Sequence, residues 1–224
     1  MVFFFVYQIC ERILISPSET QKFQKSDLTD SLNNVTLLFA DIANFTKYSS
    51  SVTPEIVVAM LKSLFTEFDK ICLAYNLYKV YTIGDCYVVM SLNEGSRPHS
   101  ISEEVHNVLS MGFAMIDTIK TVRERINFPD LDMRIGVHTG DVIGGIVGTN
   151  IVRYDIYGRT VMIANKMESN GKLGRINVSE TTKNIIQTNF EEEYEFEEQP
   201  QIYVKSIDQN IKNFLIKKPN KILA

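Results

Sequence analysis

The segment VTLLFADIANFT, residues 35–46, opens with a near-continuous apolar run, Val35 to Ala40, that stops at a carboxylate, Asp41. A run this short, apolar without alternation, has the pattern of a strand covered on both faces. After a brief turn, Pro54 opens an amphipathic helix in which Ile56, Val57, Met60, Leu61, Leu64, Phe65 and Phe68 keep helical spacing to about Tyr75. Two β-rich runs, Leu77 to Ile83 and Cys86 to Leu92, are then separated only by Gly84 and Asp85, which predicts a tight hairpin. Asn93 to Ser100 reads as a loop, and Ser102, backed by Glu103 and Glu104, as the cap of a long helix to about Ile126.

Leu131 to Thr139 is a further strand, and the glycine-rich stretch 140–148 a second hairpin or an extended arm. A strand at Arg153 to Tyr157 leads into a helix at Val161 to Met167. A strand at Arg175 to Val178 leads into a helix capped by Ser179. Tyr194 and Phe196 stand among glutamates, and the apolar pairs Ile202 and Val204, and Phe214 and Ile216, follow at two-residue spacing; the tail reads as edge strands with one solvated face. Strands mixed with covering helices and joined partly by hairpins imply an α+β sandwich, not a doubly wound sheet. One domain is expected over 35–217, after an N-terminal segment and polar linker at 1–34 and before a short tail at 218–224.

The totals narrow the function. With 224 residues, 45% hydrophobic and 22% charged, the chain can bury a full core. A net charge of −4 supplies no positive field for nucleic acid, so any bound phosphate must be held by local devices, metal ions or a partner chain. Cys10, Cys72 and Cys86 form no CxxC pair and suit a reducing, cytoplasmic compartment. His99, His106 and His138 lack zinc-ligand spacing, and no nucleophilic triad can be assembled. Met1 to Cys10 is apolar but too short to span a bilayer, which takes about 20 residues. It reads either as a packed N-terminal helix or as the cytosolic end of a membrane segment, which would attach the domain to the cytosolic face of a membrane.

The chemistry gathers at Asp41, which ends a strand, and Asp85, which tips a hairpin. If the two elements are neighbours, both carboxylates leave the same sheet edge. Paired carboxylates without histidine suit Mg²⁺ or Mn²⁺. Two such ions about 4 Å apart can stabilise the attacking and leaving oxygens of a phosphoryl displacement. The pair alone is also ordinary turn chemistry. Its surroundings add weight: Asn44-Phe45-Thr46 puts backbone amides directly after the first carboxylate, and Arg134 sits in an otherwise apolar strand, where it must find an anion or solvent.

With FADIANFT at 39–46, YTIGDCYV at 81–88, MRIGVHTG at 133–140 and YDIYGRTVMIANKMES at 154–169, the chain resembles class III adenylyl and guanylyl cyclase catalytic domains in motif order and spacing. The resemblance covers about Val35 to Ile186. It implies a ferredoxin-like βαββαβ core that works as a dimer, with ATP or GTP bound in the cleft between two cyclase domains. It implies metal binding by Asp41, Asp85 and the Ile42 carbonyl. It also implies phosphate binding by Asn44, Phe45, Thr46, Gly84 and Arg134, and attack of the ribose 3′-hydroxyl on the α-phosphorus with pyrophosphate leaving.

The other half of the family site is altered. Its asparagine and arginine stand here as Met162 and Lys166, and Lys205 is followed by Ser-Ile-Asp where the family has Gly-Lys-Gly. Methionine donates no hydrogen bond, and lysine lacks the planar fork. The base-reading positions are Tyr81, which is neither the lysine usual in adenylyl nor the glutamate usual in guanylyl cyclases, and Asp155, as in adenylyl cyclases; in a metal-side half they face a degenerate second pocket and leave the base open. Losses confined to one side imply the metal-bearing half of a heterodimeric cyclase. The competing readings are a silent cyclase-fold dimerisation module and a homodimer with altered chemistry.

Overall fold

A computed structural model describes residues 29–91, 100–147 and 153–217, so the expected N-terminal helix or membrane-proximal segment and the tail at 218–224 lie outside the described residues. The elements are β1 (Thr29–Ala43), α1 (Phe45–Ser49), α2 (Pro54–Ala74), β2 (Tyr78–Ile83), β3 (Cys86–Met90), α3 (Ile101–Arg125), β4 (Asp132–Val147), β5 (Arg153–Tyr157), α4 (Arg159–Ser169), β6 (Arg175–Ser179), α5 (Glu180–Phe190), β7 (Glu195–Val204) and β8 (Gln209–Lys217). The strands form one sheet in the order β2-β3-β1-β4-β6-β8-β7, with β5 paired to β4. Its first four strands, with α2 and α3 as crossovers, are the ferredoxin-like βαββαβ core. β7 closes the far edge, but β8, expected as a second edge strand, lies inside it between β6 and β7, with Phe214, Leu215 and Ile216 all buried.

The two-residue period of β1 sorts its side chains between two layers. Leu38, Ala40 and Ile42 pack with Leu64 and Phe68 of α2 and Leu109 and Met115 of α3. Val35, Leu37 and Phe39 face the other way, with Val88, Met90, Tyr154, Ile156 and Ala164 of α4. Asp41 continues this second set, so the strand that builds the core also delivers its carboxylate to the α4 side. α4 can lie close because β4 has Gly136 there: a Cβ at that position would sit 1.9 Å from the Glu168 backbone nitrogen. Gly136→Ala is therefore expected to push α4 off the sheet, costing about 1–3 kcal/mol or more. Thermal denaturation should show a melting temperature lower by at least several degrees.

Two further local expectations change. β1 begins at Thr29, not Val35: beyond an irregularity between Leu32 and Val35, residues 29–32 pair with 142–145 of β4. Their polar alternation hid a strand held by backbone pairing rather than by an apolar face. The stretch 140–147, expected as a second hairpin or an extended arm, is the outer half of one 16-residue strand paired antiparallel with β5. The cap of α3 is Ser100, two residues before Ser102: it accepts from the Glu103 amide while the Glu103 side chain returns to the Ser100 amide. Ser102 is buried instead.

Candidate functional site

Asp41 and Arg134 are register partners on the antiparallel pair β1–β4, so their side chains meet on the α4 face. Arg134 Nη2 donates to Asp41 Oδ2 at 2.7 Å, and its Nε donates to Glu168 Oε1 at 2.9 Å. The anion that an arginine in an apolar strand requires is thus supplied twice within the chain. Burial alone would lower the arginine's pKa, but the Glu168 hydrogen bond and the charges of Glu168, Asp41 and Asp85 raise it.

Asp85 comes to the same edge through the β2–β3 hairpin, whose register pairs Ile83 with Cys86 and, one strand over, Tyr87 with Ala40. Gly84 takes φ 60° at its tip, with open space where a Cβ would be; the turn needs glycine for its backbone conformation, not for room. Burial, then repulsion from Asp41, raises the Asp85 pKa. Burial raises that of Glu168 too, against the Arg134 hydrogen bond. Cys86, pushed up to about 12 by burial and then by Asp41, Glu168 and Asp85, is an inert thiol.

A cleft of about 360 Å³ is lined by Asp41, Ile42, Ala43, Asn44, Phe45, Thr46, Lys47, Asp85 and Arg134. It gathers every residue expected to bind metal or phosphate except Gly84, which precedes Asp85 in the turn. A larger cleft of about 430 Å³ lies beside His138, Arg159 and Lys212. Its only carboxylate, Glu180, is paired with Lys212 at 2.9 Å, and so the paired-carboxylate cleft is the candidate. Asn44 adopts the left-handed conformation (φ 62°), and its side-chain amide donates to the Asp130 carbonyl at 2.7 Å. What this residue offers the cleft is the turn itself. The Phe45, Thr46 and Lys47 amides precede the first intrahelical bond of α1, from Tyr48 N to Asn44 O.

Two of these residues escaped the sequence reading. Lys47 directly follows the phosphate turn, which was its signal; it is exposed, and ion-paired with Asp130. Glu168 lies on the buried face of α4 with Ile163, Ala164 and Met167; an acid on an apolar helical face was the signal there.

Among the described residues no three histidine, cysteine, aspartate or glutamate side chains converge as a metal site. Two repelling carboxylates beside a backbone carbonyl still fit Mg²⁺ or Mn²⁺, which commonly complete their shells with water and substrate phosphates.

Tyr81, Asp155, Met162 and Lys166 do not line this cleft. Tyr81 packs in the second layer, and Asp155, 8% exposed on β5, accepts from the Ile156 amide at 2.9 Å. Met162 and Lys166 stand one turn apart on the exposed side of α4.

Residues 28–218 match the profile described as the adenylate and guanylate cyclase catalytic domain. The chain is 39% identical over 200 residues to guanylate cyclase alpha of Plasmodium falciparum, covering 88% of this chain and only 5% of that relative's length. It superposes on the adenylyl cyclase CyaB from P. aeruginosa with a TM-score of 0.77 at 26% identity, covering 88% of this chain and 99% of the other. For the guanylate cyclase domain of RhGC from Catenaria anguillulae, in complex with GTP, the TM-score is 0.72 at 26% identity, covering 85% and 100%.

Proposed function

The chain belongs to the adenylate and guanylate cyclase catalytic domain family, and from that premise we propose that it is the metal-bearing half of a dimeric cyclase site converting ATP or GTP to the 3′,5′-cyclic monophosphate and pyrophosphate. The observation that carries this reading is the one-sided cleft. Asp41, Ile42, Asp85, the turn at 44–46 and Arg134 line a single cavity, and Tyr81, Asp155, Met162 and Lys166 are not among its lining residues. Held by Asp41, Asp85 and the Ile42 carbonyl, two divalent cations would lower the pKa of the ribose 3′-hydroxyl and stabilise the leaving pyrophosphate. The chain's own groups do the positioning. The amides at 45–47 cradle phosphate oxygens, Arg134 and Lys47 supply cationic donors, and the β2–β3 hairpin aims Asp85 at Asp41.

A partner cyclase domain supplies the asparagine and arginine that Met162 and Lys166 replace. Exposed apolar side chains support such a partner: Ile83 at the hairpin tip, Ile143 and its register partner Tyr157, and Met162. The GTP held by the Catenaria anguillulae domain supports testing GTP first. No helix among the described residues is long and apolar enough to cross a membrane. The free cysteines Cys72 and Cys86 support a cytosolic site.

Turnover of GTP and of ATP with Mn²⁺, measured with and without a cyclase domain carrying that asparagine and arginine, tests the proposal. Activity only in the mixed sample is expected. Inactivity in every combination would favour the silent dimerisation module. Calorimetry should find triphosphate binding with Mn²⁺ and little in EDTA, since the cleft's two carboxylates oppose an unaccompanied anion. Lys47→Ala tests the phosphate side. Its exposed pair with Asp130 contributes about 0–1 kcal/mol, so the lysine is readily released to substrate. Its loss should raise KM about ten-fold with little change in kcat. An unchanged KM would remove Lys47 from the site.

A further inference from the structure

We infer that Glu168 is a positioning residue that makes Arg134 an exchangeable counter-ion: Nη2 neutralises Asp41 until divalent cations take that carboxylate, then turns to the triphosphate while Nε stays on Glu168. This rests on the reading of Asp41 and Asp85 as metal ligands. A guanidinium presents several donors in one rigid plane, so two acceptors can be held at once and one exchanged without losing the other. The two acceptors here are unequal. The Glu168 side chain is 8% exposed and the Asp41 side chain 23%.

Glu168 is also fixed by its backbone, because α4 rests on Gly136 with no room for a Cβ between them. Asp41, in contrast, lies on the cleft wall, where solvent, metal and substrate arrive. A divalent charge held by Asp41 would outcompete the monovalent guanidinium there, freeing Arg134 Nη2 for another anion. The nearest large anion in that cavity is then the polyphosphate. Without Glu168 the arginine would have one carboxylate partner, Asp41, and would compete with metal at full strength.

Mn²⁺ binding to the full chain without nucleotide, followed by the electron paramagnetic resonance of free Mn²⁺, tests this without reading turnover. Asp85→Asn is the control for the underlying reading: unchanged affinity there would remove the metal assignment itself. Glu168→Gln should lower Mn²⁺ affinity and Arg134→Gln should raise it, each about five-fold or more. In the Arg134→Gln background, Glu168→Gln should change affinity less than about two-fold, as for residues acting through one partner. An equal loss in both backgrounds would show a direct field effect and overturn the inference, as would no loss in either.

Arg134→Lys decides the matter should the Glu168 variant not fold. It keeps the charge but not the fork, so affinity for 3′-deoxy-GTP with Mn²⁺ should fall as far as in Arg134→Gln. Near-native affinity would overturn the two-point hold.

Discussion

Asp85→Asn is expected to leave the metal-free melting temperature level or raise it, Asp41→Asn to place it below that of Asp85→Asn, and either change to lower cyclisation with Mn²⁺ about 10³-fold or more. From sequence alone the two carboxylates should behave alike, since removing either relieves their repulsion. Arg134 separates them. Asp41 holds its guanidinium at 2.7 Å, so removing that charge leaves a half-buried arginine with Glu168 alone. Losing a charged hydrogen bond of this kind costs about 1–3 kcal/mol, offset in part by the relieved repulsion.

Among the described residues Asp85 gains no comparable ion pair, and burial and then Asp41 raise its pKa. For an acid, a raised folded-state pKa means that ionisation opposes folding. The advantage of Asp85→Asn should therefore be full at neutral pH. It should vanish as pH falls below the ordinary aspartate value of 3.8, where the native carboxyl is also neutral. Calorimetric scans of both variants in EDTA from pH 3 to 7 would show it. Equal destabilisation by the two, or near-normal turnover by either with Mn²⁺, would contradict the assignment.

How far the fold could be read ahead of the structure depended on what holds each element. Val35 to Ala40, the helix from Pro54 and the Gly84-Asp85 hairpin announced themselves because apolar burial and turn chemistry leave local marks. Residues 29–32 left none, because their strand is held by backbone pairing to a glycine-rich partner. The cleft followed the same rule. Asp41 and Asp85 could be paired in advance because a strand end and a hairpin tip have predictable directions. The Arg134–Glu168 contact could not, because it joins residues 34 apart through a helix packing that Gly136 permits. Register also shows why Asp41 and Arg134 meet: β1 and β4 pair antiparallel, a topology that the apolar pattern of either strand leaves open.

Alone, the chain is expected to turn over nucleotide at no more than about 1% of the rate of a mixed dimer, because each lost transition-state donor typically costs about 10²–10³ in rate. In a two-fold dimer of this chain, Asp41 and Asp85 of one protomer would face Met162 and Lys166 of its partner in both clefts. Such a cleft binds metal and triphosphate but has no side-chain amide for the ribose and no planar fork for the developing charge. With a complementary partner only one of the two clefts is complete. The double change Met162→Asn with Lys166→Arg tests this within one chain. Both side chains are exposed, and Met162 is 38% accessible, so the core layers on either side of the sheet are left as they are. The melting temperature should stay within a degree or two of the parent's, since surface changes of this kind alter stability by about 0.5 kcal/mol or less. Homodimer activity with Mn²⁺ should rise at least about ten-fold, a fraction of the donor effect, because the partner's Lys205 loop remains unlike the family's. If instead the unmodified chain alone turned over substrate at the rate of the mixed dimer, the half-site reading would fail, and another side chain would have to supply the missing donor.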